Sequence, residues 1–176
     1  LHFVDGNGRA LKNGGRVMKN VTGLDLTRLN CGAYGTLGVL TNVSLKVLPR
    51  PQRAATLHLP DLDLPRAVAL FSRAVKTPFE VSGAAWMNGA AHLRVEGLPM
   101  QVDHRLAGLR ELFKDEQISV LEGDDHDALW TGIRDVHLFA AGNDTIWKIS
   151  LKPTDASALV ATLEQKEQLS LQCPLA

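Results

Sequence analysis

Gly14-Gly15-Arg16-Val17-Met18-Lys19-Asn20-Val21-Thr22-Gly23-Leu24-Asp25-Leu26, followed by Gly32-Ala33-Tyr34-Gly35-Thr36-Leu37-Gly38-Val39-Leu40-Thr41, decides the reading of this chain. A backbone that repeatedly dispenses with Cβ either turns sharply or lies close to something large and flat. The stretch is no Walker loop, because no Gly-Lys-Ser/Thr occurs in it. Nor is it a dinucleotide-binding turn, because no strand–turn–helix unit carries G-x-G-x-x-G. What remains is Gly35-Thr36-Leu37-Gly38 immediately before an apolar strand. Such a loop offers bare backbone N–H and C=O groups to a planar ligand, or serves only as a turn at the edge of an α/β domain.

Working outward, Leu1–Val4 and Arg9–Lys12 flank Asp5-Gly6-Asn7-Gly8 and predict a hairpin. Thr22, three residues before Asp25, predicts a capping-box-like start to a short helix from about Gly23 to Cys31, with the Asp25 carboxylate near its positive end. Gly32 suits the position just past that helix. Leu37–Leu48 alternates from Asn42 onward and predicts one long strand with a wet face. Pro49-Arg50-Pro51 ends it and predicts a stiff hinge and a domain boundary at about residues 49–53.

Beyond the hinge the periodicity changes. Ala54–Leu59, Glu80–Trp86, Ala91–Val95, Ser119–Leu121 and Thr145–Leu151 read as strands. Leu64–Val75, Val102–Phe113, Asp124–Gly132 and Asp155–Gln168 read as helices, and Met87-Asn88-Gly89-Ala90 as a hairpin turn. The first of these elements spell β-α-β-β-α-β, the ferredoxin-like order. The expected fold class is α+β, in two units that do not share one continuous sheet.

Composition narrows the function. The chain has 176 residues, 45% of them hydrophobic, enough for a core, and a formal net charge of zero. No Lys/Arg cluster supplies the basic stripe of a nucleic-acid binder. The apolar runs are too short and interrupted to predict a membrane span. Cys31 and Cys173 are far apart and form no CxxC, so they predict no metal or iron–sulfur ligand set, and their use fits a reducing cytoplasm. Leu1-His2-Phe3-Val4-Asp5 already reads as a strand, with no initiator Met or signal peptide, and the expectation is that the sequence begins inside a domain.

Other chemistry-bearing residues point less clearly. Asp124-Asp125-His126-Asp127 reads as a metal cluster or as the charged first turn of a helix, and adjacent helical residues point in different directions. His58 and His92 fit burial or solvation as well as catalysis. His137, after Arg134-Asp135, is a candidate to approach a cofactor if the second half folds over it. Trp86, Trp130 and Trp147 are expected as core anchors. No Ser/His/Asp order or carboxylate pair suggests hydrolysis.

Arg16-Val17-Met18-Lys19-Asn20-Val21-Thr22-Gly23-Leu24-Asp25-Leu26, Gly35-Thr36-Leu37-Gly38-Val39-Leu40-Thr41 and Leu45-Lys46-Val47-Leu48-Pro49-Arg50-Pro51 resemble FAD-linked oxidases of the vanillyl-alcohol-oxidase (PCMH) type, and among them the E-type FAD-binding subunits of glycolate oxidases. The strong part covers residues 1–51. Weaker likeness continues through Trp130, Arg134-Asp135 and Trp147-Lys148-Ile149-Ser150-Leu151. Leu24 departs from the family's usual Tyr, and Cys31 and Ala33 stand where small or hydroxyl residues are usual. The resemblance implies that residues 1–50 are the C-terminal part of a PCMH-type FAD-binding domain and 54–176 a ferredoxin-like cap over the substrate side of the flavin. It implies FAD contacts at Asn20, Gly23, Asp25, Gly35, Thr36, Gly38, Val39 and Leu40. It assigns no catalytic residue and no metal.

The family's pyrophosphate-holding loop lies in an N-terminal subdomain, and this sequence is expected to start after it. The Gly35–Gly38 loop is therefore expected to be solvent-exposed, FAD to be absent from this stretch alone, and the stretch alone to be inert. The implied activity is oxidation of a small 2-hydroxy acid, glycolate to glyoxylate, by hydride transfer to the flavin. The implied partners are a related flavin subunit and an iron–sulfur subunit, with no nucleic acid and no transmembrane segment. The implied location is the cytoplasm, at the membrane periphery through those partners. The rival expectation is a non-catalytic structural or protein-interaction subunit of such a complex.

Overall fold

A computed structural model describes residues 1–17, 23–140, 142, 145–164 and 172–175. The described residues form two compact units, Leu1–Pro49 and Arg50–Ala176. Each has its own antiparallel sheet, of three and five strands. The fold is mixed α+β, as the sequence predicts.

The first unit is built on a hairpin, β1 (His2–Asp5) and β2 (Ala10–Lys12), with β3 (Gly38–Asn42) on the other side of β1. The hairpin closes because Asp5 Oδ1 accepts from the backbone N–H of Asn7 and of Arg9, both at 2.9 Å. Those bonds and the Arg9 guanidinium hold the Asp5 carboxyl below the usual range. Helix α1 (Leu26–Asn30) is shorter than expected. Asp25 itself caps it, accepting from Arg28 N at 3.0 Å, and Thr22 lies outside the described residues. Gly32 follows with φ +81°, as the end of a helix requires. Asn13 fastens α1 to the hairpin: its Oδ1 accepts from Thr27 N at 3.2 Å and its Nδ2 donates to Leu24 O at 3.1 Å.

The long strand predicted over Leu37–Leu48 is confined to Gly38–Asn42. A strand persists only where it has a partner, and β1 runs out at the pair His2↔Asn42. Residues 43–48 keep the alternation without the ladder. Leu45, Val47 and Leu48 are 80%, 79% and 85% exposed, and Phe3 is the buried apolar side chain of this unit among the described residues.

The second unit runs β4 (Arg53–Leu59), α2 (Leu64–Ala74), β5 (Gly83–Met87), β6 (Ala90–Gly97), α3 (Pro99–Leu112), β7 (Ser119–Glu122), α4 (Gly123–Arg134), a single 3₁₀ turn (His137–Phe139), α5 (Pro153–Glu164) and β8 (Gln172–Leu175). The sheet order is β7-β4-β6-β5-β8 with antiparallel neighbours, so its first four strands form two interleaved split β-α-β units. Asn88 and Gly89 both have positive φ, 52° and 75°, which makes the β5–β6 connection a tight two-residue hairpin.

Helix α2 forms because apolar residues recur at helical spacing behind an Asp63 cap, whose carboxylate accepts from Arg66 N at 2.8 Å. It buries Ala67, Leu70, Phe71 and Ala74 against Ala55, Leu57 and Leu59 of β4 and Leu93 and Val95 of β6. Val102, Leu106 and Leu109 of α3 complete this core. Each large side chain fully buried here contributes about 1.5–3 kcal/mol. Phe71→Ala, at 1% exposure, removes the largest single piece, about 3–5 kcal/mol. Period-2 alternation then puts Thr56 and His58 of β4 on the opposite face of the sheet. They face their register partners Arg94 and His92 of β6 there.

Two expectations fail in this unit. Thr145–Leu151 forms no strand, and the outer edge of β5 pairs with β8, a strand the sequence did not announce. Trp147, expected as a core anchor, is 81% exposed. Helix α5 is described over Pro153–Glu164, and residues 165–168 of its predicted span lie outside the described residues.

Candidate functional site

In the first unit the expected cofactor residues fall into two groups. Gly35, Thr36, Gly38, Val39 and Leu40 form one continuous loop and strand. Gly23 and Asp25 belong to the turn that enters α1, and Asn20 lies outside the described residues. Tyr34 and Gly35 both take positive φ, 51° and 76°. Thr36 locks the turn by donating its N–H to Ala33 O at 2.9 Å and its hydroxyl to the same oxygen at 2.6 Å.

The two flanking glycines differ. A Cβ on Gly35 would meet nothing within 4 Å, whereas one on Gly38 would lie 2.5 Å from the Val4 carbonyl oxygen. Gly38 is thus required by the close approach of β1, and Gly35 by its backbone conformation in open space. Val39 and Leu40 follow at 68% and 49% exposure. A bare backbone turn beside exposed apolar side chains fits the flat, largely apolar face of a flavin ring. The Gly32–Gly38 loop carries no cationic side chain, so the loop itself brings no charge for a pyrophosphate. Asp25 is occupied by its capping bond and by an exposed pair with Arg28 at 3.3 Å, an interaction of about 0–1 kcal/mol.

The second unit has a cleft of about 810 Å³ on the polar face of its sheet, between the strands and α4. Three side chains build its floor. Trp130 donates its indole N–H to Thr56 Oγ1 at 2.7 Å, and the same oxygen lies 2.9 Å from His126 Nδ1. Indole N–H only donates, so the Thr56 hydroxyl oxygen accepts from it, and the same hydroxyl pairs with His126 Nδ1 as donor or acceptor according to the imidazole tautomer. Thr56 is fully buried and His126 5% exposed. Burial holds the His126 pKa below the ordinary value, and Arg94 adds to that. Asp127, Glu96 and Glu122 act in the opposite direction.

Arginines frame this floor. Arg94 stacks on Trp130 with its guanidinium carbon 4.6 Å from the ring centroid, and lies 3.5 Å from Glu96. Arg53 bridges Asp103 and Glu122, each at 2.6 Å, and so ties the start of β4 to α3 and to the end of β7. Arg134 is engaged by Asp135 at 2.7 Å. Arg50 meets Asp127 only at 3.9 Å, both side chains being mostly exposed.

The remaining sequence candidates are accounted for. His58 and His92 lie Nδ1 to Nδ1 at 3.4 Å, and burial followed by the neighbouring His58 takes the His92 pKa down to about 4. His137 is an exposed neighbour of Asp135 at 3.9 Å. Asp124 and Asp125 occupy the first turn of α4, where the helix dipole favours them, while His126 points inward to Thr56. No group of three metal-ligating side chains occurs among the described residues. Thr56, Arg94 and the Thr56–His126–Trp130 linkage were not read from the sequence. The alternation of Ala55, Leu57 and Leu59 was the available signal, since it sends Thr56 to the other face.

No family model matches the chain. Glycolate oxidase subunit GlcE of Escherichia coli (strain K12) is 36% identical over 164 residues, which is 93% of this chain and 43% of that relative. The chain is similar along nearly its whole length to FAD-linked oxidases. Glycolate oxidase subunit GlcD of Bacillus subtilis (strain 168) is 44% identical over 57 residues, 32% of this chain and 12% of the relative. A mitochondrial D-lactate dehydrogenase (cytochrome) of Arabidopsis thaliana is 37% identical over 96 residues, 54% of this chain and 15% of the relative. The chain thus spans less than half the length of each of these relatives. None of its helices, among the described residues, is long and apolar enough to cross a membrane.

Proposed function

We propose that this chain is part of the FAD-binding subunit of a glycolate oxidase-like enzyme that oxidises a small 2-hydroxy acid, glycolate to glyoxylate. The observation that carries this reading is the 36% identity to a glycolate oxidase subunit along 93% of the chain. On this reading Leu1–Pro49 is the C-terminal part of a PCMH-type FAD-binding domain, and residues 54–176 are a ferredoxin-like cap. FAD, when bound, supplies the hydride acceptor at its ring. This chain's residues would hold and orient that ring through the bare backbone of Gly35 and Thr36, and the exposed Val39 and Leu40 would exclude water from it. Asn20, Gly23 and Asp25 complete the contacts. The electrons leave through a related flavin subunit and an iron–sulfur subunit, in a cytoplasmic complex held at the membrane periphery by those partners.

The test is the flavin itself. The intact protein purified with its partners should be yellow, release FAD on denaturation, and lose its visible flavin absorption anaerobically when glycolate or D-lactate is added. Gly35→Val should lower flavin content without unfolding the second unit. A colourless complex, or a flavin that neither acid bleaches, would remove the proposal.

A further inference from the structure

Thr145–Leu151 keeps the alternation of a strand but has no ladder partner among the described residues. Ile146, Trp147, Ile149 and Leu151 are 55%, 81%, 55% and 39% exposed. Exposed apolar side chains clustered this closely mark a surface that something covers. The topology says where the segment belongs. Helices α2 and α3 pack on one face of the sheet, and each links two parallel strands with one antiparallel strand between them. β6 stands between β4 and β5, and β4 between β6 and β7. Such crossovers are right-handed. β4 and β6 run in opposite directions, so their crossovers step in opposite directions across the sheet, towards β5 and towards β7.

β8 is antiparallel to β5 and therefore parallel to β6, and the helix that precedes it, α5, packs against α2. A right-handed crossover through α5 into β8 must step towards β7 as well, so its first strand lies beyond the outer edge of β8. Thr145–Leu151 leads directly into α5, and that edge is open among the described residues. Every pair of neighbours in this sheet is antiparallel, whereas Thr145–Leu151 would run parallel to β8. One antiparallel strand therefore belongs between them, as in the other two crossovers.

We propose that in the intact protein one further β-strand of the same polypeptide inserts between β8 and Thr145–Leu151, antiparallel to both, and completes a third split β-α-β unit. Period-2 alternation then puts Trp147, Ile149 and Leu151 together on the face that α5 covers. The occupant is assigned to the same polypeptide because an antiparallel neighbour of β8 needs only a hairpin to reach its place. Relatives have chain to supply it, since the part of GlcE that is matched here is 43% of that protein. The inference uses neither the glycine loop nor flavin and stands apart from the proposed function.

Hydrogen–deuterium exchange of the intact protein, at high and low protein concentration, tests it. Pro174 has no N–H to give a ladder, so the readout is Thr145–Leu151 rather than β8. Alternate amides of that segment should exchange at least about a hundredfold more slowly than in a free peptide of the same sequence, at both concentrations and without partner subunits. The emission that Trp147→Phe removes should be that of a buried indole. Slow exchange in β4 and β6 confirms that the preparation is folded. Free-peptide exchange rates in Thr145–Leu151, or removed emission typical of an indole in water, would overturn the proposal. Protection that vanishes on dilution would give the place to a second copy, and protection seen only with a partner subunit would give it to that partner. Either result would overturn the assignment to the same polypeptide.

Discussion

Replacing Thr56 by Val is the sharpest perturbation of the second unit, because shape is conserved while one oxygen serving two partners disappears. Thr56 is fully buried, its hydroxyl accepting from Trp130 at 2.7 Å and paired with His126 Nδ1 at 2.9 Å. The variant strands the buried His126 Nδ1, at about 1–3 kcal/mol, and leaves the half-buried Trp130 N–H to recruit water, at about 0.5–1 kcal/mol. The added methyl offsets about 0.8 kcal/mol. The net loss is about 2 kcal/mol, a shift of about 1 M in the urea midpoint for a slope near 2 kcal/mol/M. Thr56→Ser keeps the hydroxyl and should lose only about 1 kcal/mol, for the missing methyl. Urea unfolding followed by tryptophan fluorescence reads both. A Thr56→Val midpoint within about 0.2 M of the original, or below which Thr56→Ser falls, would refute the shared-hydroxyl reasoning.

Gly108→Ala gains about 1 kcal/mol of helix propensity, yet its Cβ would collide with the Phe79 ring. Overpacking wins, and a net loss of about 1 kcal/mol in thermal or urea unfolding is expected. Gly38→Ala, whose Cβ would collide with the Val4 carbonyl, should destabilise the β1–β3 pairing, seen as faster amide exchange at Val4 and Val39. Gly35→Ala, in open space, should leave that exchange nearly unchanged. Burial lowers the folded pKa of His92 to about 4 and also lowers that of His126. The unfolded chain therefore binds more protons below the ordinary value of 6.5, and stability falls as pH drops from about 6.5 towards 4. The His92 part is up to about 3 kcal/mol, and His92→Leu should flatten that stretch of the stability–pH curve.

The elements with local or paired signals were legible in the sequence. Asp5-Gly6-Asn7-Gly8 and Asn88-Gly89 specify their hairpins by turn chemistry, and α2 and α3 follow from apolar spacing behind Asp63 and Pro99. Leu37–Leu48 and Thr145–Leu151 misled because alternation states what a strand would bury but not whether a partner exists. β8 went unread because a short edge segment containing Pro174 carries almost no periodic signal of its own. The glycine loop stood out in the sequence because glycine serves few purposes, although Gly38 owes its place to a neighbouring carbonyl. The cleft was not legible: Thr56, Arg94 and His126 are far apart in sequence, and only strand register and the seat of α4 bring them together.

The central claim is that the Gly35–Leu40 loop and strand form one wall of a flavin site. The most direct measurement is the visible spectrum of the intact protein and of its Gly35→Val variant, with flavin quantified after denaturation. The account predicts bound FAD in the parent and a markedly lower flavin-to-protein ratio in a Gly35→Val protein whose second unit unfolds at the unchanged midpoint. Full flavin occupancy in that variant, or no flavin in the folded parent, would contradict it.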